Sequence, residues 1–265
     1  MQDKASPPRF EALSDGADEL FASYLSHRIA APLAAYAEGR NDPDSLVPFD
    51  NDLARLATLH ARGDEAARRM GLYLLDDEQK HALYSWHMHE AIGAETTEAL
   101  IRSRLDSCKS QDPLNRALFL DLETLLPDQV LPFVDRLSMA HSVEVRPPFL
   151  DHRLAEFACS LPGSFKIKAG RVKSILKNAV KDLLPDELLE RPKEGFIMPI
   201  NEWLIGRLKP FVLDTLSPAR LKRYDLFRVG AVTDMLDNHY AGKAQWGNQI
   251  WNLLMLQLWL ERYAR

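Results

Sequence analysis

Residues 15 to 19 read DGADE: three carboxylates around a glycine, between Leu13 on one side and Leu20, Phe21 and Tyr24 on the other. Two chemistries fit that spacing. Asp18 and Glu19 would favour the dipole at a helix start by ~0.3–1 kcal/mol each, with Ser14 or Asp15 as the cap. The alternative is a cation site, since three acids in five residues repel one another more than capping requires. Mg²⁺ takes hard oxygen ligands and usually keeps substrate phosphates as co-ligands. A short strand over Arg9–Leu13 feeding the turn would also aim backbone N–H groups at an anion.

A second cluster runs from Val134 to Leu154, where Asp135, Arg136, Glu144, Arg146, Asp151 and Arg153 alternate in sign through an otherwise apolar stretch. These charges either bridge internally and fix a bend, or line a polar pocket with Glu144 and Arg146 as its substrate-facing pair. Arg146 precedes Pro147 and Pro148, so its turn is rigid. A third candidate is Lys193, on a loop that Pro192 and Gly195 constrain. A lysine so placed suits a point-charge contact with phosphates, or is a solvated surface residue. Lys173, Lys177 and Lys181 are four apart and read as one solvated helix face. His87 and His89, two apart, point to different sides of a helix and do not form a metal pair.

These residues need a scaffold, and the apolar pattern makes it mostly helical. Helices are expected after Asp76 or Asp77 through Tyr84 and His87. Others cover AETTEALIRSRLDSC, NRALFLDLETLL, DHRLAEFACSLP and GRVKSILKNAVKDLLP, and the last three start at Ile200, Val229 and Trp246. The Trp, Leu and Met residues of the final helix fit a core. A chain of 265 residues can bury a substantial core. Its net charge of -5 implies no nucleic-acid surface. Cys108 and Cys159 lack ligand spacing and read as thiols of a reducing cytosol. No apolar run approaches the ~20 residues that span a bilayer, and residues 1–10 have no apolar core of a signal peptide. The expectation is a cytoplasmic protein without a membrane partner.

Taken in order, the stretches resemble the synthetase part of the glutamine-dependent asparagine synthetases. LSDGADELFASY is similar to that family's LSG(D/E)GxDELFxGY. DRLSMAHSVEVRPPFLDHRLAEFACSLP resembles its DRxSMAxxxExRxPFLDxxLxExAxxLP, and LLPDELLERPKEGFIMPINEWL its LPxxxxxRxKxGFxxPxxxWL. The resemblance implies the mainly α-helical portion of an α/β adenine-nucleotide α-hydrolase-like (PP-loop ATP pyrophosphatase) domain with few short strands. Residues 1–10 would be a poorly structured segment and 11–265 a truncated synthetase domain.

It also implies a reaction: ATP and aspartate form β-aspartyl-AMP and pyrophosphate, and ammonia derived from glutamine displaces AMP to give asparagine. Asp15 then takes the place of the acid that matters for forming the intermediate. Asp18 belongs to the Mg²⁺–pyrophosphate site, Lys193 stabilises phosphate charge, and Leu13 and Ser14 contact ATP. The family's Ser-Gly is Leu13-Ser14 here, and its Ser-Gly-Gly-x-Asp-Ser nucleotide loop and glutaminase domain have no counterpart in the chain. The missing half is therefore expected from a separate partner or a longer gene product. A non-catalytic, degenerate partner protein and an amidoligase for a peptide or glycan carboxylate are the alternatives.

Overall fold

The structure is a computed structural model that describes residues 15–37, 63–191 and 198–264. In chain order the helices begin with α1 (Ala17–Phe21), α2 (Leu25–Ala37), α3 (Glu65–Met70), α4 (Asp77–Leu83), α5 (Trp86–Ile92), α6 (Thr97–Ser107) and α7 (Pro113–Glu123). A π-helical turn at Leu126–Val130 runs into α8 (Leu131–Met139), and a 3-10 turn at Pro148–Leu150 precedes α9 (His152–Ser160). The short α10 (Gly163–Lys166), α11 (Ser174–Ala179) and α12 (Asp186–Leu189) follow. The chain ends with α13 (Ile200–Ile205), α14 (Lys209–Thr215), α15 (Pro218–Leu221), α16 (Val229–Tyr240) and α17 (Gly247–Tyr263). The chain is thus mainly helical, as its pattern predicts. The expected short strands are absent among the described residues, which hold only the isolated bridges Tyr84–Phe227 and Lys168–Arg171. The strand expected at Arg9–Leu13 lies outside them, as do Leu13, Ser14 and Lys193.

Local chemistry sets many of the boundaries. Asp76 forms a capping box on α4: its carboxylate accepts from the Gln79 N–H at 2.9 Å while Gln79 accepts from the Asp76 N–H at 3.0 Å. The helix expected to continue through His87 stops at Tyr84, because Ser85 caps a new one by accepting from the Met88 N–H at 3.1 Å. Asp112 before Pro113 and Asp151 before His152 open α7 and α9 in the same manner. The amphipathic helix expected from Gly170 to Pro185 is cut to Ser174–Ala179, and Lys173 before it has φ 53°.

The chain divides into two compact units, residues 1–69 with 101–193 and residues 70–100 with 194–265. In the first, Leu20 and Phe21 of α1 and Ala158 of α9 are buried together, with Leu150, Ile175 and Leu176 packed against them. Ala22 joins Leu114 and Leu118 of α7 in an adjoining cluster. Each fully buried leucine contributes ~1.5–3 kcal/mol, so these contacts seat the five-residue α1, far too short to be stable alone. By contrast α8 buries none of its residues, and Phe133, Leu137 and Met139 are exposed. The second unit is centred on Ile250 and Leu254 of α17, which pack with Leu204, Val212, Val232 and Leu236. The all-core reading of α17 needs correction, because Trp259 is 55% exposed and Met255 also faces solvent.

Candidate active site

Gly16 opens the acidic turn with φ 87° and is itself the N-cap of α1, where no side chain caps the helix. Any Cβ there would sit 2.7 Å from Leu150 Cγ and closer still to Cδ2. The turn therefore needs glycine for both conformation and space. Asp15 is not the expected cap. Its Oδ2 is buried and has no hydrogen-bond partner among the described residues. Burial, and then the neighbouring charge of Glu19, push its carboxyl above the usual aspartate range.

Past α1 the chain turns a corner at Ala22, Ser23 and Tyr24, with Ala22 at φ 67° and fully buried. The corner returns side chains to the acids. Ser23 Oγ donates to Asp18 Oδ1, and the Tyr24 hydroxyl donates to Glu19 Oε1 at 2.6 Å. Glu19 is 1% exposed. Burial, together with that hydrogen bond, raises the Tyr24 phenol well above its ordinary value and keeps it a donor.

Lys173 completes the cluster. Its Nζ lies 2.5 Å from Asp18 Oδ1, with both side chains about a quarter exposed, and its N–H donates to the Ala22 carbonyl at 3.2 Å. The solvated-face reading of Lys173, Lys177 and Lys181 fails here. Lys173 precedes α11 in a left-handed conformation, so the spacing of four does not put it on a common helix face.

Beneath the corner lies His27. Its Nδ1 accepts from the N–H of Ser23 at 3.2 Å and of Tyr24 at 3.3 Å, while Nε2 faces Asp121 Oδ2 at 2.8 Å. Arg69 holds the other oxygen of Asp121. Burial drives the His27 pKa down, and outweighs the opposing pull of Asp121.

Glu144 and Arg146 are not drawn into this cluster. They are exposed and pair with each other, Arg146 Nε donating to Glu144 Oε1 at 2.8 Å. Asp151 caps α9 and also takes a fork from Arg153, which lowers its carboxyl to about 2. The bend-fixing reading fits these pairs. Lys193, Leu13 and Ser14 lie outside the described residues.

Sequence reasoning therefore missed Lys173, Ser23, Tyr24, His27, Asp121 and Arg69. The one available signal was Asp121 within the apolar run ALFLDLETLL, on a face that Leu114 and Leu118 bury. A charge at such a position must be paired. Among the described residues no three ligand side chains converge as a ready metal cage. The buried unpaired oxygen of Asp15, three positions before Asp18 in the chain, fits instead an ion that takes one or two protein carboxylates and draws its other ligands from phosphates.

The asparagine synthase family model matches residues 13–261. A Mycobacterium tuberculosis protein, provisionally named a glutamine-hydrolysing asparagine synthetase, is 30% identical over 268 residues, 92% of this chain and 38% of its own length. Asparagine synthetase 1 of Bacillus subtilis is 30% identical over 150 residues, 57% of this chain and 23% of its own. An amidase of Gibberella zeae is 30% identical over 146 residues, 52% of this chain and 22% of its own. The chain thus spans less than two fifths of the length of these relatives. No solved structure matches it.

Proposed function

Because the chain belongs to the asparagine synthase family, we propose that it carries the acidic-turn part of an ATP-dependent amidoligase site. The proposed reaction joins the side-chain carboxylate of aspartate to the α-phosphorus of ATP, releasing pyrophosphate. Ammonia then attacks the β-aspartyl-AMP carbonyl and displaces AMP, leaving asparagine. Adenylation matters because the carboxylate alone would have to expel an oxide, whereas AMP is a good leaving group.

The observation that carries this reading is the pairing of Lys173 with Asp18 in a turn that also contains the unpartnered, buried Oδ2 of Asp15. The Asp18 carboxylate and the Ala22 carbonyl together hold Lys173 in place, a cation preorganised for charge that arrives with a substrate. Asp18 would hold Mg²⁺, which would neutralise the phosphates. Lys173 and Lys193 would draw negative charge off the leaving pyrophosphate, and Leu13 and Ser14 would contact the nucleotide through their backbone. Asp15 would act in forming the intermediate. In this reading residues 11–265 belong to a PP-loop-type synthetase domain. Its nucleotide loop and the glutaminase that supplies ammonia lie on another segment or chain in the cytoplasm.

The test is aspartate-dependent pyrophosphate release with Mg-ATP and ammonia, by the chain alone and with a separately expressed nucleotide-loop segment of a relative. Release in either mixture should fall about 10²–10³-fold in Lys173→Ala, the usual loss for a preorganised charge contact. Absence of release in both would overturn the reading in favour of a degenerate partner. The similarity to a Gibberella zeae protein named an amidase, not an asparagine synthetase, prompts one second reading, amide chemistry on a carboxylate other than that of aspartate. Release with a peptide carboxylate but not with aspartate would select it.

A further inference from the structure

We infer that His27 is the positioning residue of the acidic turn: as a neutral imidazole protonated on Nε2, it locks the Ala22–Tyr24 corner and so fixes Asp18 and Glu19. The inference rests on the proposed site, but its argument is geometric. Two backbone N–H groups, from Ser23 and Tyr24, point at Nδ1. A nitrogen that accepts N–H bonds carries no proton, so the ring proton sits on Nε2 and is donated to Asp121. Both nitrogens are therefore spent. Unlike the histidine of a catalytic dyad, His27 has no face left for a substrate, and at 1% exposure nothing can reach it.

The groups facing the ring enforce this state. Asp121 is fully buried, but Arg69 holds its second oxygen and supplies the compensating charge, so a cationic His27 is not needed to balance it. Glu19 adds a weak pull toward protonation, and the Tyr24 ring lies 5.2 Å from the imidazole centroid. A proton on Nδ1 would set three donors against one another and break both bonds, the one from Ser23 buried and the one from Tyr24 partly buried, at the cost of desolvated donors.

The two residues whose N–H groups His27 takes are the two whose hydroxyls hold the acids. Ser23 holds Asp18 and Tyr24 holds Glu19. The third corner residue, Ala22, keeps a positive φ that an alanine rarely adopts, and its carbonyl accepts from Lys173. Ties from the surrounding structure are what maintain such a conformation. The line Arg69–Asp121–His27–corner therefore sets where Asp18 stands relative to Lys173, with no atom of it touching a substrate.

The test uses the full chain and no ligand. Long-range ¹⁵N–¹H spectra of the imidazoles should show His27 as the Nε2–H tautomer, unchanged from pH 8 to 5.5. In His27→Leu, amide exchange at Ser23 and Tyr24 should accelerate about tenfold or more, the measure of one lost buried acceptor. The ¹³C signal of the Asp18 carboxylate should move as well. His27→Asn, which keeps an acceptor near Nδ1, should restore most of both. A titrating or Nδ1–H His27 overturns the inference, as does an Asp18 signal indifferent to His27→Leu. If the leucine variant does not fold, the tautomer and the asparagine variant still decide. None of these signals needs turnover, so an inactive wild type would count against the proposed function alone.

Discussion

Replacing Gly16 with alanine tests the architecture of the acidic turn directly. Two separate penalties apply. At φ 87° an L-residue is disfavoured by ~1–2 kcal/mol. The added Cβ would lie 2.7 Å from Leu150 Cγ, far inside the ~3.5–4.0 Å of a normal carbon contact. Overpacking of that kind costs ~1–3 kcal/mol. The sum is about 2–5 kcal/mol, a large share of the ~5–15 kcal/mol that stabilises an ordinary domain. All five tryptophans, Trp86, Trp203, Trp246, Trp251 and Trp259, lie in the second unit, so their fluorescence does not report on this turn. Urea unfolding should instead be followed by far-ultraviolet circular dichroism, with amide exchange at Leu20, whose N–H donates to the Gly16 carbonyl at 2.9 Å. The decisive variant pairs Gly16→Ala with Leu150→Ala. Removing the leucine side chain relieves the clash but not the backbone strain, so the double variant should be more stable than the sum of the singles predicts, by about 1–3 kcal/mol. A loss below about 1 kcal/mol in Gly16→Ala, or the absence of coupling, would refute the close approach of the turn to Leu150.

Two further outcomes follow from the same structure. Asp15→Asn should stabilise the fold by about 0.5–2 kcal/mol while impairing any activity, as expected where a functional charge is kept at a cost to stability. The sign is set by linkage. Because the folded pKa lies above the ordinary 3.8, the folded state holds its proton more tightly than the unfolded chain. Wild-type stability therefore declines as pH rises from below 3.8 through the folded value, and the advantage of the asparagine variant should grow from pH 3 to 6. An advantage that shrinks over that range would contradict the burial of Asp15. Asp76→Ala should cost ~1 kcal/mol through loss of the α4 capping box, read as a lower urea midpoint in tryptophan fluorescence, with Asp76→Ser recovering most of it.

What the sequence determined by itself is local. The start of α4 at Asp76 and of α9 at Asp151 could be read because a cap acts over two to four residues. The acidic turn was legible for a similar reason: carboxylates that crowd a glycine are crowded in any fold. The family was legible too, since its motifs are continuous stretches of chain. Spacing misled where its premise, an unbroken helix, was false. The left-handed residue that ends the regularity is Lys173 itself, and it turns out to pair with Asp18 rather than with solvent. The break at Ser85 shortened α4 in the same way, because a serine that can cap competes with a serine that continues a helix. The remainder belongs to tertiary structure. Asp121 meets His27 across 94 residues of chain and Arg69 across 52. Nothing near either residue in sequence selects those partners. They are chosen by burial: once α2 packs on α7, a carboxylate and an imidazole removed from water must satisfy each other or the packing fails.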